Sequence, residues 1–207
     1  MKRKFKLITS VASLCLAIAL MAFGVYAAAN PTVTVTGSVT FNATHVYADV
    51  YADVADAAVA KDGALAFDYQ GVDATQFRNE ATSTKDYGTL TMPAINDMNV
   101  KSAYQVRIVD KASSAKVGVK LDSVTLTADL TGKEGAHVEL YISNSASELG
   151  TAVTYTSGTA IEDNTTIAND TTEIYITVVV WVDPVVAENS ITVAPALNIT
   201  LGRYTVA

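Results

Sequence analysis

Cysteine and histidine are nearly absent from the 207-residue chain. The single cysteine, Cys15, lies in an N-terminal segment that we expect to be removed, so the mature protein should have neither disulfides nor a catalytic thiol. The two histidines, His45 and His137, are far apart in sequence, and neither belongs to a His-Glu-x-x-His motif. The sequence therefore predicts no metal site and no cofactor.

Basic residues are also few, with 14 lysines and arginines against 21 aspartates and glutamates. Four of the basic residues and none of the acidic ones precede residue 30, which leaves the mature chain 10 positive and 21 negative side chains and a formal net charge of −11. Nucleic acids and anionic membranes are bound by cationic surfaces. Neither is therefore an expected partner.

Residues 1–29 have the three-part layout of a secretory signal peptide. Four basic residues precede an apolar stretch over 7–25, and small residues follow at Ala27, Ala28 and Ala29. We expect cleavage between Ala27 and Asn30, a single domain over 30–207 with no remaining membrane span, and a location outside the cell or at its surface. The alternative is an uncleaved anchor, because the apolar stretch approaches the ~20 residues that cross a bilayer.

Alternation of apolar and polar residues at period 2 dominates the rest of the chain, and helical periodicity is scarce. The densest apolar segment, 174–183, predicts a central strand covered on both faces, with Trp181 in the core. Further strands are predicted at 46–54, 65–69, 103–109, 116–121, 124–128, 138–142, 151–155 and 191–201, the last an edge strand or bulged at Pro195. Residues 73–86 predict a long loop or a short helix. This pattern indicates an all-β, two-sheet β-sandwich, jelly-roll-like or alternatively immunoglobulin-like.

Residues 31–41 form the most regular alternating segment of the chain. One face carries Val33, Val35, Val39 and Phe41, and the other carries hydroxyl groups. Gly37 falls on the apolar face, which predicts a β-bulge or the close approach of another backbone segment.

No group of residues predicts catalysis. Ser113-Ser114-Ala115-Lys116 matches the Ser-x-x-Lys pattern of acyl-transferring enzymes, but the companion motifs are missing and a solvated turn fits better. Tyr47 and Tyr51 fit either a carbohydrate-stacking platform or burial against the opposite sheet. We therefore expect a protein that is not an enzyme.

Short motifs at both ends of the chain are similar to those of one family. They are Gly24-Val25-Tyr26-Ala27, residues 38–44 followed by 46–48, and Val180-Trp181-Val182-Asp183 followed by a strand over 197–201. On these residues the chain resembles the TasA/camelysin family of exported bacterial β-proteins. The resemblance implies a jelly-roll-like subunit of extracellular fibres or biofilm matrix, processed by a dedicated signal peptidase. Camelysin-like members have been classed as metallopeptidases, and this chain departs from them because it has no clustered zinc ligands.

Two functions follow as expectations. In the first, the protein is a structural subunit that self-associates into filaments, with 31–41 donated to a neighbouring subunit and Val33, Val35, Val39 and Phe41 seated in its core. In the second, it is a surface module that binds a glycan or another protein. The same strand would pair within its own domain if it is not donated.

Overall fold

The computed structural model describes residues 32–42, 47–69, 72–78, 82–95, 99–111, 117–133, 135–145, 149–153, 160–161, 173–183 and 191–205. The strands in these ranges are β1 (Thr32–Phe41), β2 (Tyr47–Val54), β3 (Val59–Ala60), β4 (Thr75–Arg78), β5 (Ser83–Thr91), β6 (Val100–Asp110), β7 (Val117–Thr127), β8 (Ala136–Ser143), β9 (Thr151–Val153), β10 (Ala160–Ile161), β11 (Glu173–Val182), β12 (Thr192–Val193) and β13 (Ala196–Thr205). In these ranges no helix is long and apolar enough to cross a membrane. The predicted signal peptide, its cleavage site, His45 and the Ser-x-x-Lys match lie outside the described residues.

The described strands form two sheets that pack against each other, which confirms the predicted all-β sandwich. The six-stranded sheet has the order β10-β7-β13-β1, with β5 on the other side of β1 and β12 continuing the line of β13. The seven-stranded sheet has the order β4-β2-β6-β11-β8-β9, with β3 also beside β6. Apolar side chains of alternate residues meet between the sheets, as period-2 patterning requires.

The strand predicted at 174–183 is β11, and it is central. It pairs antiparallel with β6 on one side and with β8 on the other. Ile174, Ile176, Val178 and Val180 point into the core, and Thr177 and Val179 on the opposite face are also buried. Both faces are covered over most of its length because part of the chain packs on the outer side of this sheet.

Residues 65–69 form this outer covering. The strand predicted for them is wrong. Leu65 and Phe67 instead pack on a small second cluster of Ala55, Ala103 and Val179. Their alternation arises because every second side chain contacts the sheet, although the segment itself has no strand structure. Alternation alone does not distinguish these two cases.

Two other boundaries differ from the predictions. The loop predicted at 73–86 contains β4 and the first part of β5. The strands predicted at 116–121 and 124–128 are one strand, β7, in which Asp122 is an extra residue between the pairs formed by Leu121 and Ser123. A bulge of this kind shifts the alternation by one residue, so the sequence pattern resembles two strands.

Pro195 separates β12 from β13 without changing their register. Both strands pair parallel with β1 at one constant offset, from Thr32 opposite Thr192 to Phe41 opposite Leu201. Pairing with β7 on the other side begins only at Ala196. Pro195, which has no N–H to donate, therefore lies at a local edge, as predicted.

Trp181 is only partly buried, so its predicted core position is wrong. Its ring lies on the outer face of the seven-stranded sheet and stacks on His137 with 5.0 Å between centroids. We expect Trp181→Ala to lower the free energy of unfolding by about 2 kcal/mol, against about 2 to 5 kcal/mol for Ile176→Ala on the core face of the same strand. Urea unfolding of both variants measures the difference. A larger loss for Trp181→Ala than for Ile176→Ala would contradict this placement.

Candidate functional site

The groove that β1 occupies between β5 and β13 is the first candidate site, because the four predicted assembly residues of β1 are all deeply buried in it. Val33, Val35, Val39 and Phe41 are between 0% and 2% exposed and line one face of the core. Phe41 stacks on Phe77 of the opposite sheet at 5.5 Å between ring centroids. Here these side chains fill the core of their own chain, with β1 hydrogen-bonded between β5 and β13.

Gly37 lies near the middle of β1 in this groove. A Cβ atom built at residue 37 would lie 2.9 Å from Cζ of Tyr104 and still closer to its hydroxyl oxygen, so the tyrosine occupies the space above the glycine. On the neighbouring strand, Tyr87 and Gly88 form a bulge between the pairs of Thr36 and Ser38, and Gly88 has φ of 69°. A bulge is therefore present opposite Gly37, with its extra residue on β5. The close approach is made by the Tyr104 side chain and not by another backbone segment, which was the alternative prediction.

The contact of Tyr104 with Gly37 constrains how β1 can be placed. The next apolar side chains along the strand, Val35 and Val39, are too large for the space beside the tyrosine. A shift of β1 by two residues would keep its apolar face inward but would put one of these valines on the Tyr104 ring. The glycine therefore fixes the register of β1 in its groove.

A second candidate lies on the outer face of the seven-stranded sheet, where Arg107 is the centre of a polar and aromatic cluster. Its Nη2 donates to Oε1 of Glu173 at 2.6 Å and its Nε donates to Oε2 at 3.2 Å. The Tyr175 hydroxyl donates to the same carboxylate. The guanidinium also lies 5.5 Å from the ring centroid of Tyr51 and 5.7 Å from that of Tyr69.

This cluster holds the covering segment on the sheet. The Tyr69 hydroxyl donates to Gln105, whose amide in turn donates to Thr177 at 2.8 Å. Asp53 accepts the backbone N–H of Tyr69 at 3.1 Å, and Tyr69 has a positive φ of 52°. The carboxylate of Glu173 accepts three hydrogen bonds, two from Arg107 and one from Tyr175. The cluster therefore has a structural role, which is to fix residues 65–69 against the sheet.

The hydrogen bond from Arg107, supported by the one from Tyr175, holds the pKa of Glu173 below its usual value. A lowered folded-state pKa contributes stability above the unfolded pKa of about 4.3, and this stability is lost as the pH falls through the folded value. We therefore expect Glu173→Gln to cost about 1 kcal/mol at pH 7 and progressively less as the pH falls through the folded-state pKa of Glu173. Urea unfolding of wild type and variant from pH 7 to pH 3 measures this difference.

Comparison of the two proteins at each pH is needed because other groups titrate in the same range. Burial raises the pKa of Asp53. The contribution of Asp53 to the free energy of unfolding therefore increases as the pH falls, whereas that of Glu173 decreases. A cost for Glu173→Gln that stays constant from pH 7 to pH 3 would show that the carboxylate charge does not stabilise this cluster.

Tyr47 and Tyr51 both lie on this outer face, partly buried. Each ring is approached by an arginine, Tyr47 by Arg78 at 5.9 Å and Tyr51 by Arg107 at 5.5 Å. Both rings point away from the opposite sheet, because Ala48, Val50 and Ala52 are the core-facing residues of this strand. The alternative of burial against the opposite sheet is therefore wrong.

His137 belongs to a cluster at the end of β11. Its Nε2 lies 2.6 Å from Oδ2 of Asp183, whose Oδ1 accepts from Nζ of Lys61 at 2.6 Å. These hydrogen bonds lower the pKa of Asp183, with the larger effect from Lys61. Within the part of the chain that the structure describes, no three His, Cys, Asp or Glu side chains come together in a way that could hold a metal ion.

No protein-family model matches the sequence, and comparison with curated proteins found no match. The family resemblance therefore rests on the short motifs at the two ends of the chain.

Proposed function

We propose that the protein is an exported structural subunit of an extracellular fibre or biofilm matrix and that it assembles without covalent bonds by donating its N-terminal strand to a neighbouring subunit. The burial of Val33, Val35, Val39 and Phe41 supports this proposal most directly. A strand with this apolar face and a full ladder on each side is the kind of segment that adds to a partner's sheet. The resemblance to exported fibre proteins points the same way.

The topology favours an exchangeable strand. In the described sheets β5 pairs only with β1, and β12 and β13 pair with β1 on its other side. Withdrawal of β1 would leave an open groove between β5 and β13 lined by core side chains. An open groove and a free apolar strand are each unstable alone and complementary to each other. Subunits joined head to tail in this way would form a filament.

An engineered disulfide can show whether β1 is donated by a neighbouring subunit or pairs within its own chain. Ser38 and Asn198 are neighbours on β1 and β13, and the Ser38 hydroxyl donates to the Asn198 side chain at 2.6 Å. Adjacent strands lie ~4.8 Å apart, within the range that a disulfide spans. The predicted mature chain has no other cysteine. The double variant Ser38→Cys/Asn198→Cys therefore reports which chain supplies β1.

We expect filaments of this variant, assembled under reducing conditions and then oxidised, to give a ladder of covalent multimers on a denaturing gel without reductant. The control is Thr125→Cys/Asn198→Cys, which joins β7 to β13 and should give only monomers, because neither strand is donated. Monomers from both variants, with their thiols consumed, would rule out donation. Single particles in electron micrographs of the mature wild-type protein would rule out a fibre subunit.

A further inference from the structure

The outer face of the six-stranded sheet is a regular array of hydroxyl groups. Strands β5, β1, β13 and β7 lie side by side, and their outward residues form rows across the sheet. One row reads Thr84, Thr40, Thr200 and Ser123. The next reads Asp86, Ser38, Asn198 and Thr125. The third reads Thr89, Thr36, Ala196 and Thr127. We call these twelve residues the hydroxyl face.

Nine of the twelve side chains carry a hydroxyl, and Asp86 is the single charged group among them. On β7 the hydroxyl face is bordered by one ion pair, Lys120 with Asp122 at 2.7 Å, which adds no net charge. The outer face of the seven-stranded sheet is more highly charged, because Asp49, Arg107, Glu139 and Glu173 lie on it. Charged side chains on a sheet normally oppose association with other molecules. In a chain with a mature net charge of −11, the hydroxyl face is a nearly neutral exception.

Cross-strand hydrogen bonds hold parts of this face in place. Thr40 and Thr84 share a hydrogen bond between their hydroxyls at 2.9 Å, and Ser38 donates to Asn198 at 2.6 Å. All these side chains are exposed or partly exposed. Side chains that are already ordered lose less entropy when another surface packs on them.

Hydroxyl groups both donate and accept hydrogen bonds, so a hydroxyl surface is complementary to a copy of itself. With strands ~4.8 Å apart and a rise of ~3.3 Å per residue, the twelve residues cover about 380 Å². Two copies packed face to face would bury about 760 Å² in total, which is the size of a weak contact. The short threonine and serine side chains would allow the two sheets to approach closely.

We infer that the hydroxyl face is a contact surface for a second copy of this chain, packed sheet against sheet. This contact is separate from strand donation, because β1 presents the same outward residues whichever chain supplies it. Repulsion between acidic copies is weakest where the surface is neutral, so the contact should strengthen as salt screens the remaining charge. In a filament it would join neighbouring filaments side by side.

A neutral glycan is the other occupant that this chemistry allows, and the residues of the hydroxyl face argue against it. Sugar rings are usually bound by stacking on aromatic side chains. None of the twelve residues is aromatic.

The experiment places like charges on the hydroxyl face. Thr36→Glu/Asn198→Glu adds two carboxylates to exposed positions of the face, and Gln76→Glu/Ala64→Glu adds the same charge at exposed positions outside it. Sedimentation velocity over a concentration series, at low and high salt, measures self-association of each mature protein. Electron micrographs of the same samples show whether filaments lie singly or in bundles. Thermal melting verifies that each variant is folded.

We expect the face variant to weaken self-association tenfold or more, or to separate bundled filaments, while the control behaves as wild type. Thr36→Lys/Asn198→Lys should also weaken the contact although it reduces net charge, which separates a neutral-face requirement from general repulsion. Equal association of face and control variants would overturn the inference. So would a monomeric wild type that is retained on an insoluble neutral glucan through this face. Filaments that give the multimer ladder but do not bundle would support strand donation and contradict the sheet-to-sheet contact.

Discussion

Replacing Phe41 with alanine should lower the free energy of unfolding of the β-sandwich by about 3 to 5 kcal/mol. The side chain is 1% exposed and stacks on Phe77 across the two sheets, so truncation removes both buried area and an aromatic contact. For a domain of this size the melting temperature should fall by roughly 6 to 20 °C. Thermal and urea unfolding measure the loss.

Thr40→Ala is the matched control, because Thr40 precedes Phe41 on the same strand and faces outward. Its melting temperature should stay within a few degrees of wild type. If Phe41→Ala melted like this control, β1 would not be seated with Phe41 in the core, whether in its own chain or in a neighbour.

Gly37→Ala should cost about 1 to 3 kcal/mol, and Gly37→Val more, because the added atoms enter space that Tyr104 occupies. The tyrosine is fully buried between the sheets and cannot turn aside. A comparable loss is not expected from an ordinary glycine in a strand, since alanine is usually the more favourable residue there. Urea unfolding measures the cost.

Tyr104→Phe tests the cause of that cost. The tyrosine hydroxyl has no hydrogen-bond partner among the described residues, so its removal should be nearly neutral by itself. In the Tyr104→Phe background, Gly37→Ala should cost less than in wild type, since the closest atom is gone. Equal costs in the two backgrounds would show that the two residues do not interact.

Strands with one fully buried face could be predicted from the sequence, and β1 and β11 are the clearest cases. In both, β-branched and aromatic residues recur at every second position because that face packs against the opposite sheet. The four buried side chains of β1 could be identified for the same reason.

The edge strand β5 could not be predicted, because most of its side chains are exposed on both faces. It forms through backbone pairing with β1, and the only sequence signal is its content of threonine and tyrosine. The partial exposure of Trp181 could not be predicted either, since it depends on which outer positions residues 65–69 cover. In the sequence, the hydroxyl face can be recognised only as alternating threonines. Its rows could not be predicted, because they depend on the order of the strands in the sheet, which the sequence does not reveal.

The parallel pairing of β1 with β13 joins the two most distant parts of the described chain, with Ser38 and Asn198 separated by 160 positions. Contacts of such long range must overcome a large loss of chain entropy before any stabilising contact forms, and proteins dominated by them fold in milliseconds to seconds. During synthesis β1 emerges first, while the strand that completes its ladder emerges last. Until then one edge of β1 has no partner in its own chain, so premature association has its longest opportunity while the protein is still being made.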